Sequence, residues 1–85
     1  VTISGRDGVL RWGYFQAAGL STWTVTRDGG RWTLAGTVTG VDAFRVTQRP
    51  LAFVATHATG CWRWPVETLA IADGRLTAAL GPQED

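Results

Sequence analysis

The sequence predicts an all-β fold: a small single-domain antiparallel barrel, SH3-like or OB-like, built from six to eight short strands. Three observations lead there. Turn signals recur at short intervals, at Gly5 to Gly8, Asp28-Gly29-Gly30, His57 to Gly60 and Asp73-Gly74. Several of the segments between them alternate apolar and polar residues with a period of two, the pattern of a half-buried strand. Finally, 85 residues with 45% hydrophobic and 18% charged side chains form one packed domain, 1–85, whose core is marginal unless bulky groups fill it. Five Trp, three Phe and one Tyr supply that bulk. Closing the sheet removes the long Thr- and Trp-rich edges that would otherwise invite pairing with other chains.

The elements follow in chain order. Residues 1–8 read as an N-terminal arm or an edge strand. Leu10, Trp12 and Tyr14 then alternate with Val9, Arg11, Gly13 and Phe15, which predicts a strand. Gln16 to Leu20 is the best helical candidate and amounts to one turn at most. Trp23 and Val25 share a face opposite Thr22, Thr24 and Thr26, and Asp28-Gly29-Gly30 turns this strand into a second. In that partner Trp32, Leu34, Gly36 and Val38 alternate with Arg31, Thr33, Ala35, Thr37 and Thr39. Phe44 and Val46, then Leu51, Phe53 and Ala55, form shorter strands split by Arg49-Pro50. Pro50 and Pro65 lack an amide donor and belong at a strand start, an edge or a bend. Asp73-Gly74 suits a type I′ turn pairing Ala72 with Arg75 and Ile71 with Leu76, which puts Leu69, Ile71, Leu76 and Ala78 on one face. Residues 81–85 read as an acidic, frayed tail.

The inventory for chemistry is thin. His57 is the only histidine, and Ser4 and Ser21, the only serines, sit in no Gly-x-Ser-x-Gly elbow. A Cys61/His57 pair within one loop also needs an orienting group and an oxyanion site in a cleft, which a domain this small rarely provides. Asp7, Asp28 and Asp73 precede glycines and are explained by turn chemistry, which outside the tail acids Glu84 and Asp85 leaves Asp42 and Glu67 as candidates for paired carboxylates. One His, one Cys and scattered acids make no metal-ligand spacing, and no glycine-rich loop is followed by the Lys and helix of a phosphate cradle. The expectation is a non-enzymatic protein with no catalytic residues, no metal and no cofactor. A lone Cys61 forms no internal disulfide. No apolar run approaches the roughly 18 to 20 residues of a membrane span, and Val1-Thr2-Ile3-Ser4 is no secretory leader, so no membrane is expected.

Contact residues are the remaining candidates. In an extended Cys61-Trp62-Arg63-Trp64-Pro65-Val66, Trp62, Trp64 and Val66 share a face and Arg63 points the other way. That face is either barrel core or an exposed platform for a base, a sugar or a peptide. Arg45 and Arg49, with Arg63 and Arg75, are candidates to line a nucleic-acid groove beside exposed aromatics. A net charge of +1 argues against that reading, because neutralising several phosphates takes a visibly basic face. All eight basic residues are Arg, yet Lys and Asn are absent and Ile is scarce. GC-rich coding produces that composition without any binding function.

The stretch Arg49-Pro50-Leu51-Ala52-Phe53-Val54-Ala55, then Gly60, Trp62, Trp64-Pro65-Val66 and Leu80-Gly81-Pro82, resembles small uncharacterised proteins encoded by phages and prophages of GC-rich bacteria. The resemblance spans about the last half of the chain. It implies a structural subunit of a phage particle, of the capsid decoration or head-tail joining type, present in many copies in the virion. The bacterial cytoplasm is the alternative location. Self-copies or a larger protein assembly are the expected partners, contacted through Trp62, Arg63 and Trp64 with Arg45 and Arg49 behind them. A single-stranded nucleic-acid binder and a small inhibitor of a partner protein are the alternatives.

Overall fold

A computed structural model describes residues 2–57 and 60–84, the side chains of His57 and Gly60 apart. Six antiparallel strands form a closed barrel: β1 Thr2–Trp12, β2 Phe15–Asp28, β3 Arg31–Val41, β4 Leu51–His57, β5 Gly60–Ala72 and β6 Arg75–Leu80. Their order around the wall is β1-β2-β3-β6-β5-β4, with β4 returning to β1. β1-β2-β3 and β4-β5-β6 are each a meander. The fourth strand lies beside the first, which is the Greek-key arrangement.

Local chemistry explains the hairpins. Gly29 and Gly30 both have positive φ, 58° and 83°, and hold the two-residue turn that pairs Asp28 with Arg31. Asp73 and Gly74, at 53° and 72°, pair Ala72 with Arg75 and Ile71 with Leu76 as the type I′ reading expects. The alternation holds as well: Trp23, Val25 and Leu34 are buried, and so are Leu76 and Ala78. Thr22, Thr24 and Thr26 lie on the opposite face of β2, and Thr22 Oγ1 donates to Thr37 Oγ1 across to β3 at 3.3 Å.

Five expectations are corrected. The strand expected to run through Phe15 stops at Trp12, because Gly13 (φ 62°) and Tyr14 make a two-residue turn that pairs Trp12 with Phe15. Positive φ at the first turn position alone is the type II′ pattern, which glycine accepts at no steric cost. Gln16 to Leu20 belongs to β2, its Ala17, Ala18, Gly19 and Leu20 all buried, and contains no helical turn. Phe44 and Val46 lie at a 3₁₀ turn, Arg45–Thr47, instead of in a strand. There Asp42 Oδ1 accepts from the backbone N–H of Phe44 (3.1 Å) and Arg45 (3.0 Å), curling the chain before a strand can form. The tail is not frayed over its described residues. Gly81 N–H donates to Pro65 O and Glu84 N–H to Arg63 O, both at 2.7 Å, so the chain lies along β5. Residues 2–7 are likewise part of β1, paired to β2, which leaves the edge-strand alternative and removes the arm. Of the His57 to Gly60 turn signal, Ala58 and Thr59 lie outside the described residues, as do Val1 and Asp85.

Aromatic rings fill the barrel. Trp64 is fully buried and stands within 5.7–6.4 Å, ring centroid to centroid, of Trp23, Trp32, Phe53 and Trp62. Each such pair adds about 0.5–1.5 kcal/mol beyond the area it buries. The Trp23 indole lies flat on β1, where a Cβ at Gly5 would stand 2.6 Å from its Cζ2 and one at Gly8 2.5 Å from Phe53 Cε1. Side-chain-free positions in β1 are therefore what let the barrel hold so many rings.

Candidate functional site

Strand direction sorts the molecule into two ends. β1, β3 and β5 run toward the end that carries the Gly13-Tyr14 turn, the 42–50 connection and the Asp73-Gly74 turn. At that end β6 starts opposite Thr37 and β4 reaches β1 only as far as Arg11, so Trp12 and the end of β3 lie beyond neighbours that enclose the rest. What is interior further down the barrel is surface here.

An aromatic cluster occupies this end. Tyr14 is 95% exposed, Phe44 66% and Phe15 53%, and Val41 is exposed with them. Half-buried Trp12 ties Phe15 to Phe44, its ring centroid 6.1 Å from each of theirs. The Arg45 guanidinium sits over the Phe15 ring, 4.7 Å from the centroid. It also donates to Gln16 O (3.2 Å) and pairs with Asp42 Oδ2 (3.5 Å). Asp42 thus shapes the connection and orients Arg45, and Arg45 fixes Phe15. Large apolar groups gathered this way at a surface mark a contact site, with Tyr, Trp and Arg the side chains that carry most energy in protein interfaces.

The residues expected to make contacts separate. Trp64 is a core residue and offers no contact face: in β5 it points inward together with Val66, and the barrel wall closes over it. Among the described residues its indole N–H is the one buried side-chain donor with no acceptor. Trp62 is half-buried and leans on Trp23 and Trp64. Arg63 faces outward and donates through Nε to Glu84 Oε1 at 3.1 Å, so its charge is answered by the tail. Arg45 stands in the aromatic end. Arg49 flanks it, donating from Nη1 to the carbonyls of Val46 (3.1 Å) and Gln48 (2.8 Å). Only Arg45 and Arg49 of the five belong to this site.

Sequence reasoning missed Tyr14, Phe15 and Phe44. The signal was present in Trp12-Gly13-Tyr14-Phe15, where a glycine fit for a turn is ringed by three aromatic residues. Turns are normally polar, and rings placed in one cannot reach the core.

Among the described residues no three of His, Cys, Asp and Glu are grouped as metal ligands, and no helix is long and apolar enough to cross a membrane. Cys61 is exposed. No family model matches the chain, and neither do curated proteins or solved structures.

Proposed function

We propose that this protein is a non-enzymatic contact module that seats its aromatic end on a larger protein assembly, as a subunit of a phage particle of the decoration or joining type. One observation carries the contact reading: Phe15 and Phe44 stand in solvent, held by Trp12 and Arg45, with the exposed Tyr14 on the adjoining turn. An apolar cluster on a rigid turn loses little conformational freedom when it docks, which favours binding. The phage setting rests on the sequence resemblance.

Two further observations favour a protein partner over a nucleic acid. Arg45 covers the Phe15 ring and Arg27 lies 5.5 Å from the Trp32 ring centroid, so arginines occupy faces on which bases would stack. The basic residues are also spread over β1, β2, β3, β5, β6 and the connection instead of forming one stripe.

The test is to purify particles from cells that carry the gene, on a density gradient, and to probe them for this chain. The wild-type protein is expected to sediment with the particles in many copies. The double variant Tyr14→Ser/Phe44→Ser is expected to stay at the top of the gradient with an unchanged melting temperature. Particles without the wild-type chain overturn the particle reading. A double variant that still sediments with them overturns the aromatic end as the contact.

A further inference from the structure

The two edges of β1 are used unequally. Toward β2 the strand is paired from Thr2↔Thr26 to Trp12↔Phe15, but toward β4 only at Val9↔Val54, Leu10↔Phe53 and Arg11↔Ala52. The change comes just after Asp7, which holds φ 60° in mid-strand, a left-handed conformation uncommon for a residue with a side chain. Over Thr2 to Arg6 no described strand pairs with the outer edge. Backbone N–H and C=O groups that point that way form a template for another strand. Natural edges are usually blunted by charged side chains, Pro or bulges; Thr2-Ile3-Ser4-Gly5 contains none of these, and the one charge on the edge, Arg6, stands at its end.

We propose that this edge pairs with the same edge of a second copy of the chain, antiparallel, about a two-fold axis through Ser4. The residues fit that register. Ser4 meets its own counterpart, Arg6 meets the counterpart of Thr2, and no two like charges face each other across the axis. On the inner face Ile3 meets the counterpart of Gly5, whose bare backbone is covered by the Trp23 indole, so the Ile3 side chain falls beside that ring. On the outer face Ser4 Oγ stands 3.3 Å from Thr24 Oγ1, and the row of short hydroxyls continues through Thr2 and Thr26. Such a border gives a foreign peptide no depth in which its side chains are read, whereas a pair of identical edges needs no pocket. The result is an isologous dimer with one sheet running from β3 of one copy to β3 of the other. Because the two β1 strands are antiparallel, the aromatic ends point away from each other. The dimer presents two contact sites facing opposite ways, so it bridges two partners and gains no bivalent hold on a single surface.

The dimer does not depend on the aromatic end, so the two ideas fail separately. Sedimentation equilibrium from micromolar to millimolar protein is expected to show a monomer–dimer equilibrium. Hydrogen exchange is expected to show protection within residues 2–6 that rises with concentration. Ser4→Lys sets two lysines face to face and is expected to weaken the dimer about tenfold or more, while Ser4→Ala leaves it intact. If Ser4→Lys disturbs folding, Thr2→Lys, which opposes the counterpart of Arg6, gives the same readout. A monomer at every concentration overturns the proposal. So does a dimer indifferent to both lysine variants, or one abolished by Tyr14→Ser/Phe44→Ser.

Discussion

Two aromatic groups in this small barrel have opposite fates. Trp23, Phe53 and Trp64 pack ring against ring inside the wall with half-buried Trp32 and Trp62 against them, while Tyr14, Phe15 and Phe44 stand in solvent near a half-buried Trp12. Residue type does not separate them, and neither does alternation, since Trp12 and Trp64 each point to the inner face of a strand. Position along the barrel axis does. Trp64 lies where strands flank it on every side, and Trp12 lies just above the last β1–β4 pair, Arg11↔Ala52. In a closed sheet the inner face is a core only as far as the shortest neighbouring strand extends.

The largest test of this contrast is Trp64→Ala set beside Tyr14→Ala in urea unfolding. Loss of the central ring is expected to cost about 3–5 kcal/mol, against less than about 0.5 kcal/mol at the turn. Comparable losses for the two variants would dissolve the distinction between interior and end. A smaller effect is expected from Gly8→Ala. Its new Cβ would stand 2.5 Å from Phe53 Cε1 and 2.9 Å from Trp23 Cδ1, a clash costing about 1–3 kcal/mol. A calorimetric melting temperature equal to that of the wild type would mean that the interior has slack where close packing is described. The smallest effect is at the aromatic end. Asp42→Ala removes the acceptor for two backbone N–H groups and the partner of Arg45, with an expected cost of about 1 kcal/mol. Faster amide exchange at Phe44 and Arg45 is its signature, and unchanged exchange there would show that Asp42 does not shape the connection.

What was legible in the sequence was local. Gly29-Gly30 and Asp73-Gly74 announce their hairpins because positive φ is a property of the residues in the turn, and the register of each follows by counting outward. The alternation in Trp32, Leu34, Gly36 and Val38 likewise names a face. It does not say where the wall ends, which is set by how far β4 and β6 extend. For that reason Trp62 and Trp64 stayed undecided between core and platform. The 3₁₀ turn at Arg45–Thr47 was hidden for a related reason: Phe44 and Val46 alternate like a strand, and only the Asp42 carboxylate reaching forward to two amides bends them away. The docked tail depends on Arg63, 21 residues from Glu84, and no local pattern reports such a contact.

The closure of β1 on β4 by three residue pairs also bears on how the barrel comes together in time. Pairing within β1-β2-β3 and within β4-β5-β6 joins strands adjacent in the chain and forms early, whereas Val9 meets Val54 only after a long loop has been closed. β3 meets β6 across a loop just as long but through six pairs, so of the two long-range seams the three-pair one is expected to open first. Parting of Leu10 from Phe53 is then the expected route by which water reaches buried Trp23 and Trp64.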